Sequence, residues 1–145
     1  MGDDVPYLLN TAEGEIFTLP SNWAMDDWPH YMHSIDFDYT MTIKSPDEAM
    51  AVFDSEFEAM YKHGGMLVTV WHPFVSGRLA RLDRVVDWID RLMRKGKVWF
   101  ATMEDIAAHV RKCRDDGSWQ PRIEEMPYYE GRIAEWEAKQ NKAGE

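Results

Sequence analysis

The chain has 145 residues, with 16 Lys+Arg against 26 Asp+Glu, so its formal charge is −10. That length suits one ordinary domain and falls short of the roughly 250 residues of a complete (β/α) barrel. A 45% hydrophobic and 13% aromatic composition excludes disorder for most of the chain, and the acidic balance argues against nucleic acid, which needs clustered Lys/Arg.

The N-terminus Met1-Gly2-Asp3-Asp4 lacks the pattern of a signal peptide. Tyr7–Leu9 and Ile16–Leu19 read as two short strands around the turn Asn10–Gly14, a hairpin. The stretch from Trp23 to Tyr31 is dense in chemistry and poor in period, so it reads as a loop. Regular signals start at Ser45. Ser45 caps, Pro46 sits where a missing N–H costs nothing, and Glu48 closes a capping box. Ala49, Met50, Phe53, Phe57, Met60 and Tyr61 then recur at helical spacing up to Gly64-Gly65.

Met66–Trp71 is a nearly continuous apolar run, the pattern of a strand buried on both faces, and His72-Pro73 stops it. Leu79, Leu82, Val85, Val86, Ile89, Leu92 and Met93 form one helical stripe that ends at Gly96. Val98–Ala101 reads as another strand. Thr102 caps a third helix, with Ile106, Ala107 and Val110 as its buried side. Alternating helix and strand predicts an α/β fold with few parallel strands joined by right-handed crossovers. So few strands cannot cover themselves, which points to part of a larger sheet or barrel. Residues 1–115 form this body and 116–145 a polar, aromatic tail with at most one amphipathic helix within 123–142. No apolar run reaches the roughly 18 residues of a membrane span. The single Cys113 cannot form an internal disulfide, so the expected compartment is the cytoplasm.

His72 is the sharpest candidate for chemistry, because it directly follows the predicted buried strand, at the end where parallel α/β proteins place catalytic groups. The plain alternative is a histidine that ends a strand and hydrogen-bonds a loop. Asp26-Asp27-Trp28 comes next: a carboxylate can orient and charge a histidine, or the segment is simply a turn packed by Trp28. His30 and His33 could face one way on a helical turn, with Asp26 or Asp36 as a third metal ligand, although loop histidines at this spacing are common. His63 suits a helix C-terminus, His109 a helix face, and Cys113 lies among Arg111, Lys112 and Arg114.

Four segments follow one another in order: Asp3-Asp4-Val5-Pro6-Tyr7-Leu8; Leu19-Pro20-Ser21-Asn22-Trp23-Ala24-Met25-Asp26-Asp27-Trp28-Pro29; His72-Pro73-x-x-x-Gly77-Arg78; and Val98-Trp99-Phe100-Ala101-Thr102-x-Glu104-x-Ile106-Ala107. Together they resemble the carboxyl-terminal half of the polysaccharide deacetylase family (NodB-homology, carbohydrate esterase family 4), in its cytoplasmic peptidoglycan-deacetylase-like and allantoinase-like branch. The resemblance implies a partial (β/α) barrel and hydrolysis of non-peptide C–N bonds, usually in acetamido groups, with a divalent metal, often zinc, a carboxylate base and a histidine acid. Carried over, His72 matches the acid, Asp26 or Asp27 the acidic motif that supports it, Trp28 and Trp71 the pocket wall, and Arg78 a residue fixing the loop after His72.

The family's early Asp-Asp and paired-histidine motifs, which carry metal ligands and base, have no counterpart here, nor has its Arg-x-Pro segment. The isolated chain is therefore expected to hold no metal or other cofactor and to be inactive. It would act with a complementing amino-terminal half, or serve as a self-assembling, non-catalytic module. A homo-oligomer or a partner chain is expected, because half a barrel exposes strand edges and an apolar flank.

Overall fold

Local rules start the fold at the helix termini. The computed structural model describes residues 4–34 and 40–125. Ser45 Oγ accepts from the Glu48 N–H at 3.3 Å while Glu48 Oε2 accepts from the Ser45 N–H at 2.8 Å, so two N–H groups that helix geometry leaves orphaned are satisfied reciprocally. The helix so begun follows two shorter turns, a 3-10 turn at Trp23–Met25 and α1 (Trp28–Tyr31), and is α2 (Pro46–His63). It stops at Gly64, whose φ of +73° a side-chain-bearing residue rarely adopts. Next come α3 (Pro73–Ser76), α4 (Leu79–Lys95) and α5 (Met103–Asp115). Thr102 caps α5: its Oγ1 accepts from the Asp105 N–H and donates to the Asp105 carboxylate.

The chain divides into two compact units, Met1–Val5 with Pro20–Asp105 and Pro6–Leu19 with Ile106–Glu145. In the first, α2 buries Ala49, Met50, Phe53 and Phe57, and α4 buries Val85, Trp88 and Leu92. Met25 joins all of these side chains except Ala49 in one apolar cluster, with Trp71, Leu67 and Val98 packed against it, while Ala49 packs with Tyr31 and Val75 in a second. Each large side chain fully removed from water contributes about 1.5–3 kcal/mol, so the first cluster is the main source of cohesion. Three ion pairs bridge α2 and α4: Asp47–Arg84, Asp54–Arg91 and Glu58–Lys95. Each spans 37 residues. A constant offset means that the helices run parallel and in register. The pairs are exposed, so they specify this register more than they stabilise it.

The second unit is a small sheet of order β2-β1-β3. β1 (Tyr7–Thr11) and β2 (Gly14–Thr18) pair antiparallel, and β3 (Ile123–Glu125) pairs parallel to β1. Thr11 Oγ1 accepts from the Glu13 N–H and donates to Gly14 O, and Gly14 takes a φ of +132° to close the turn. Leu8 is its buried centre. Arg114 of α5 reaches Glu15 at 2.6 Å and lies over the Phe17 ring.

Several expectations change. The segment from Trp23 to Tyr31 is not irregular: the Asn22 side chain caps the first of two short helical turns, and Pro29 starts the second. Met66–Trp71 is extended but forms only one parallel bridge, Asp26 with Val70, and its residues are half-buried rather than enclosed on both faces. Val98–Ala101 joins no ladder, and Trp99 and Phe100 are exposed. A parallel strand is defined by its neighbours, and the described residues offer these segments none beyond that bridge. On α4 the stripe is broader than α2 can cover, so Leu79, Leu82, Val86 and Met93 stay exposed. The helix expected within residues 123–142 lies, past Glu125, outside the described residues, as do Asp3 and Asp36.

Candidate functional site

The single bridge builds the site. The Val70 N–H donates to Met25 O at 2.9 Å and the Asp27 N–H donates to Val70 O at 3.1 Å, which pins the two-acid segment beside the chain leading into His72. Adjacent side chains then part. Asp26 Oδ1 turns back to accept from the Trp28 N–H at 2.7 Å, an Asx turn that starts α1. Asp27 is turned inward, with no exposed surface.

A carboxylate removed from water must find donors. Asp27 has three. Its Oδ1 accepts from His72 Nδ1 at 2.6 Å, and its Oδ2 accepts from the His72 backbone N–H at 2.9 Å and from Ser76 Oγ at 2.5 Å. A carboxylate only accepts, so Nδ1 carries the proton of this bond. His72 Nε2 has no hydrogen-bond partner among the described residues, and about a third of the side chain is exposed. The ring is held edge-on by Trp28 at 5.3 Å and Phe74 at 5.7 Å between centroids. The result is an imidazole with one nitrogen locked and charge-compensated and the other accessible, the disposition of a general acid or base.

Asp26, Asp27 and His72 also place ligand-type atoms within 4.8 Å of one another. As a donor set for a divalent ion they do not fit. Both Asp27 oxygens and His72 Nδ1 are already spent on one another and on Ser76, and a cation would have to break those bonds at the fully buried Asp27. Asp26 Oδ1 lies 3.7 Å from His72 Nδ1, too far for a hydrogen bond.

The remaining sequence candidates sit as follows. Trp71 stacks on Phe53 at 4.5 Å and 18° in the apolar cluster, and its Nε1 donates to Thr69 Oγ1. Arg78 is the exposed N-cap residue of α4. The loop after His72 is instead tied by Arg81, whose Nη1 donates to Val75 O at 2.7 Å while its guanidinium lies 4.2 Å over the Tyr31 ring. Burial pushes the Tyr31 phenol above its usual range, partly offset by that guanidinium. His30 and His33 do not form a ligand pair. His30 is buried with both ring nitrogens engaged, Nε2 with Ala24 O at 2.8 Å and Nδ1 with Lys44 Nζ at 2.9 Å, whereas His33 faces Met41 O. Sequence reasoning missed Phe74, Ser76 and Arg81. For Ser76 a signal existed: it stands four residues after His72, one helical turn away.

No family model and no curated protein matches this chain. A solved structure does: the crystal structure of a "putative polysaccharide deacetylase" from Mycobacterium smegmatis, at a TM-score of 0.73 and 36% identity, over 86% of this chain and 42% of that one. This chain is similar in fold and sequence to part of that protein. It spans less than half the length of that protein. None of its described helices is long and apolar enough to cross a membrane.

Proposed function

We propose that this deacetylase-like chain is the carboxyl-terminal part of a cytoplasmic hydrolase of the NodB-homology type, in the peptidoglycan-deacetylase-like and allantoinase-like branch. It supplies the general acid for cleaving a non-peptide C–N bond, in the first instance an acetamido group of a polysaccharide. The observation that carries this reading is the buried Asp27 carboxylate committed to His72, with Nε2 left accessible. With Nδ1–H held by Asp27, a second proton on Nε2 makes an imidazolium whose charge is compensated, ready to pass that proton to a departing amine nitrogen. Trp28 walls the site, Trp71 supports the chain beneath His72, and Arg78 is assigned to substrate contact.

The divalent metal implied by the resemblance does not fit Asp26, Asp27 and His72, so we assign its ligands and the base to a complementing polypeptide. On this reading residues 66–71 and 98–101 become strands of a (β/α) barrel once that polypeptide pairs with them. The test joins this chain with the part of the Mycobacterium smegmatis protein that it does not cover, and measures acetate release from N-acetylated glycan oligomers with zinc present. The expected result is no release by this chain alone, release by the pair, and loss of release with His72→Ala. A pair whose activity survives His72→Ala would overturn the reading.

A second reading, a non-catalytic module that assembles with itself, is favoured by the exposed Leu79, Leu82, Val86 and Met93 on α4. Sedimentation of the purified chain separates the two: a stable closed oligomer of this chain that does not exchange with the complementing polypeptide supports self-assembly.

A further inference from the structure

The Asp27 carboxylate binds its partners unequally. Oδ2 takes two donors, the His72 backbone N–H and the Ser76 hydroxyl, and Oδ1 is left to the His72 ring. His72 is the N-cap residue of α3 and Ser76 is its last residue, so one carboxylate ties both ends of this short helix. The backbone N–H alone would fix Oδ2 at one point and leave the carboxylate free to rock about that bond. Ser76, a residue only 5% exposed, supplies the second point through its hydroxyl.

We infer that Ser76 is a positioning residue: its hydroxyl holds Asp27 Oδ2 so that Oδ1 faces His72 Nδ1, and it thereby sets which ring nitrogen of His72 carries the proton. This rests on the reading of His72 as the proton donor, but it concerns the ring itself and can be measured without turnover. Ser76 is too enclosed to meet a substrate, and its hydroxyl proton is spent on the carboxylate, so it acts only through Asp27 and His72.

The test is long-range 15N NMR of the His72 ring in the full chain at mildly alkaline pH, where Nδ1–H and Nε2–H forms of a neutral imidazole give distinct shifts. The wild-type ring should be predominantly Nδ1–H. Ser76→Ala should lower that fraction and broaden the ring signals. Ser76→Cys, which keeps the volume and only a weak donor, should act in the same direction, so the answer survives if the alanine variant does not fold. Ser76→Thr, which keeps the hydroxyl, should restore the wild-type ratio. Far-UV circular dichroism is expected to be unchanged in all folded variants. If Asp27→Asn alters the tautomer while Ser76→Ala and Ser76→Cys leave it as in wild type, the inference about Ser76 is overturned and the reading of His72 stands. If Asp27→Asn also leaves it unaltered, the pairing on which the functional reading rests is overturned as well.

Discussion

Replacing Asp27 by Asn separates what the carboxylate does for the fold from what it does for His72. The amide has one acceptor and one donor end, and the site presents donors at both positions. With its NH2 at the Oδ2 position it would oppose the His72 backbone N–H, 2.9 Å away and unable to rotate. With its NH2 at the Oδ1 position it keeps the His72 N–H and Ser76 bonds and faces only His72 Nδ1, which can turn acceptor by moving its proton to Nε2. The second orientation costs less, so Asp27→Asn is expected to fold with the His72 tautomer inverted. Three charge-assisted bonds become neutral ones or are rearranged, at a loss of about 1 kcal/mol each, or about 3 kcal/mol in all. Urea unfolding read by linear extrapolation measures that loss. The imidazolium form would then oppose an NH2 group instead of a carboxylate, so proton delivery in the complemented enzyme should fall by orders of magnitude. A stability loss below about 0.5 kcal/mol, with an unchanged tautomer, would refute the reasoning.

Three further outcomes are expected. Phe53→Ala removes a fully buried ring that stacks on Trp71 and meets Trp88, and should cost about 3–5 kcal/mol in urea unfolding. Arg81→Ala frees Val75 O and uncovers Tyr31, and should cost about 1–2 kcal/mol, against less than about 0.5 kcal/mol for Arg78→Ala in the same assay. Hydrogen bonds from Ser45, through its side chain and then its backbone, hold the Glu48 carboxyl below its ordinary value of 4.5. A lowered folded-state value means stability that is complete above the unfolded value and lost as pH falls through the folded one, so acid should loosen the start of α2 below about pH 4.5. Ser45→Ala should cost about 1 kcal/mol at neutral pH and flatten that acid dependence in a thermal melt series.

What could be read in advance divides along a physical line. Helix termini are local: Ser45 with Glu48, Thr102 with Asp105, and Gly64 lie within a few residues of what they cap, and all three can be read from the sequence. Extended segments are not local. The segments 66–71 and 98–101 have the composition of strands, but ladder pairing depends on distant chain, and among the described residues of these segments only Val70 forms a bridge, to Asp26. The His72 site lies between these cases. A histidine behind an apolar run is visible, and so is an acidic pair, but nothing in Asp26-Asp27 says which one faces inward. That choice is made by the bridge to Val70, a contact 44 residues distant along the chain. Arg78 is the expected anchor for the loop; Arg81, which the sequence does not single out, takes that place because the first turn of α4 brings it back to Val75 O.

The same bridge explains why so reduced an α/β arrangement still builds a defined site. α2 and α4 run parallel, held in register by three ion pairs at constant spacing, so the chain between them must return and deliver His72 near the start of α4. That return segment is anchored on one side by Phe53 against Trp71 and on the other by Asp27 against Val70. Asp27 and His72 are therefore joined by packing that lies wholly within one compact unit. On the proposed function, the proton donor is assembled within this unit, and a complementing polypeptide would bring the metal ligands and the base. The free Nε2 of His72 would mark where they have to meet.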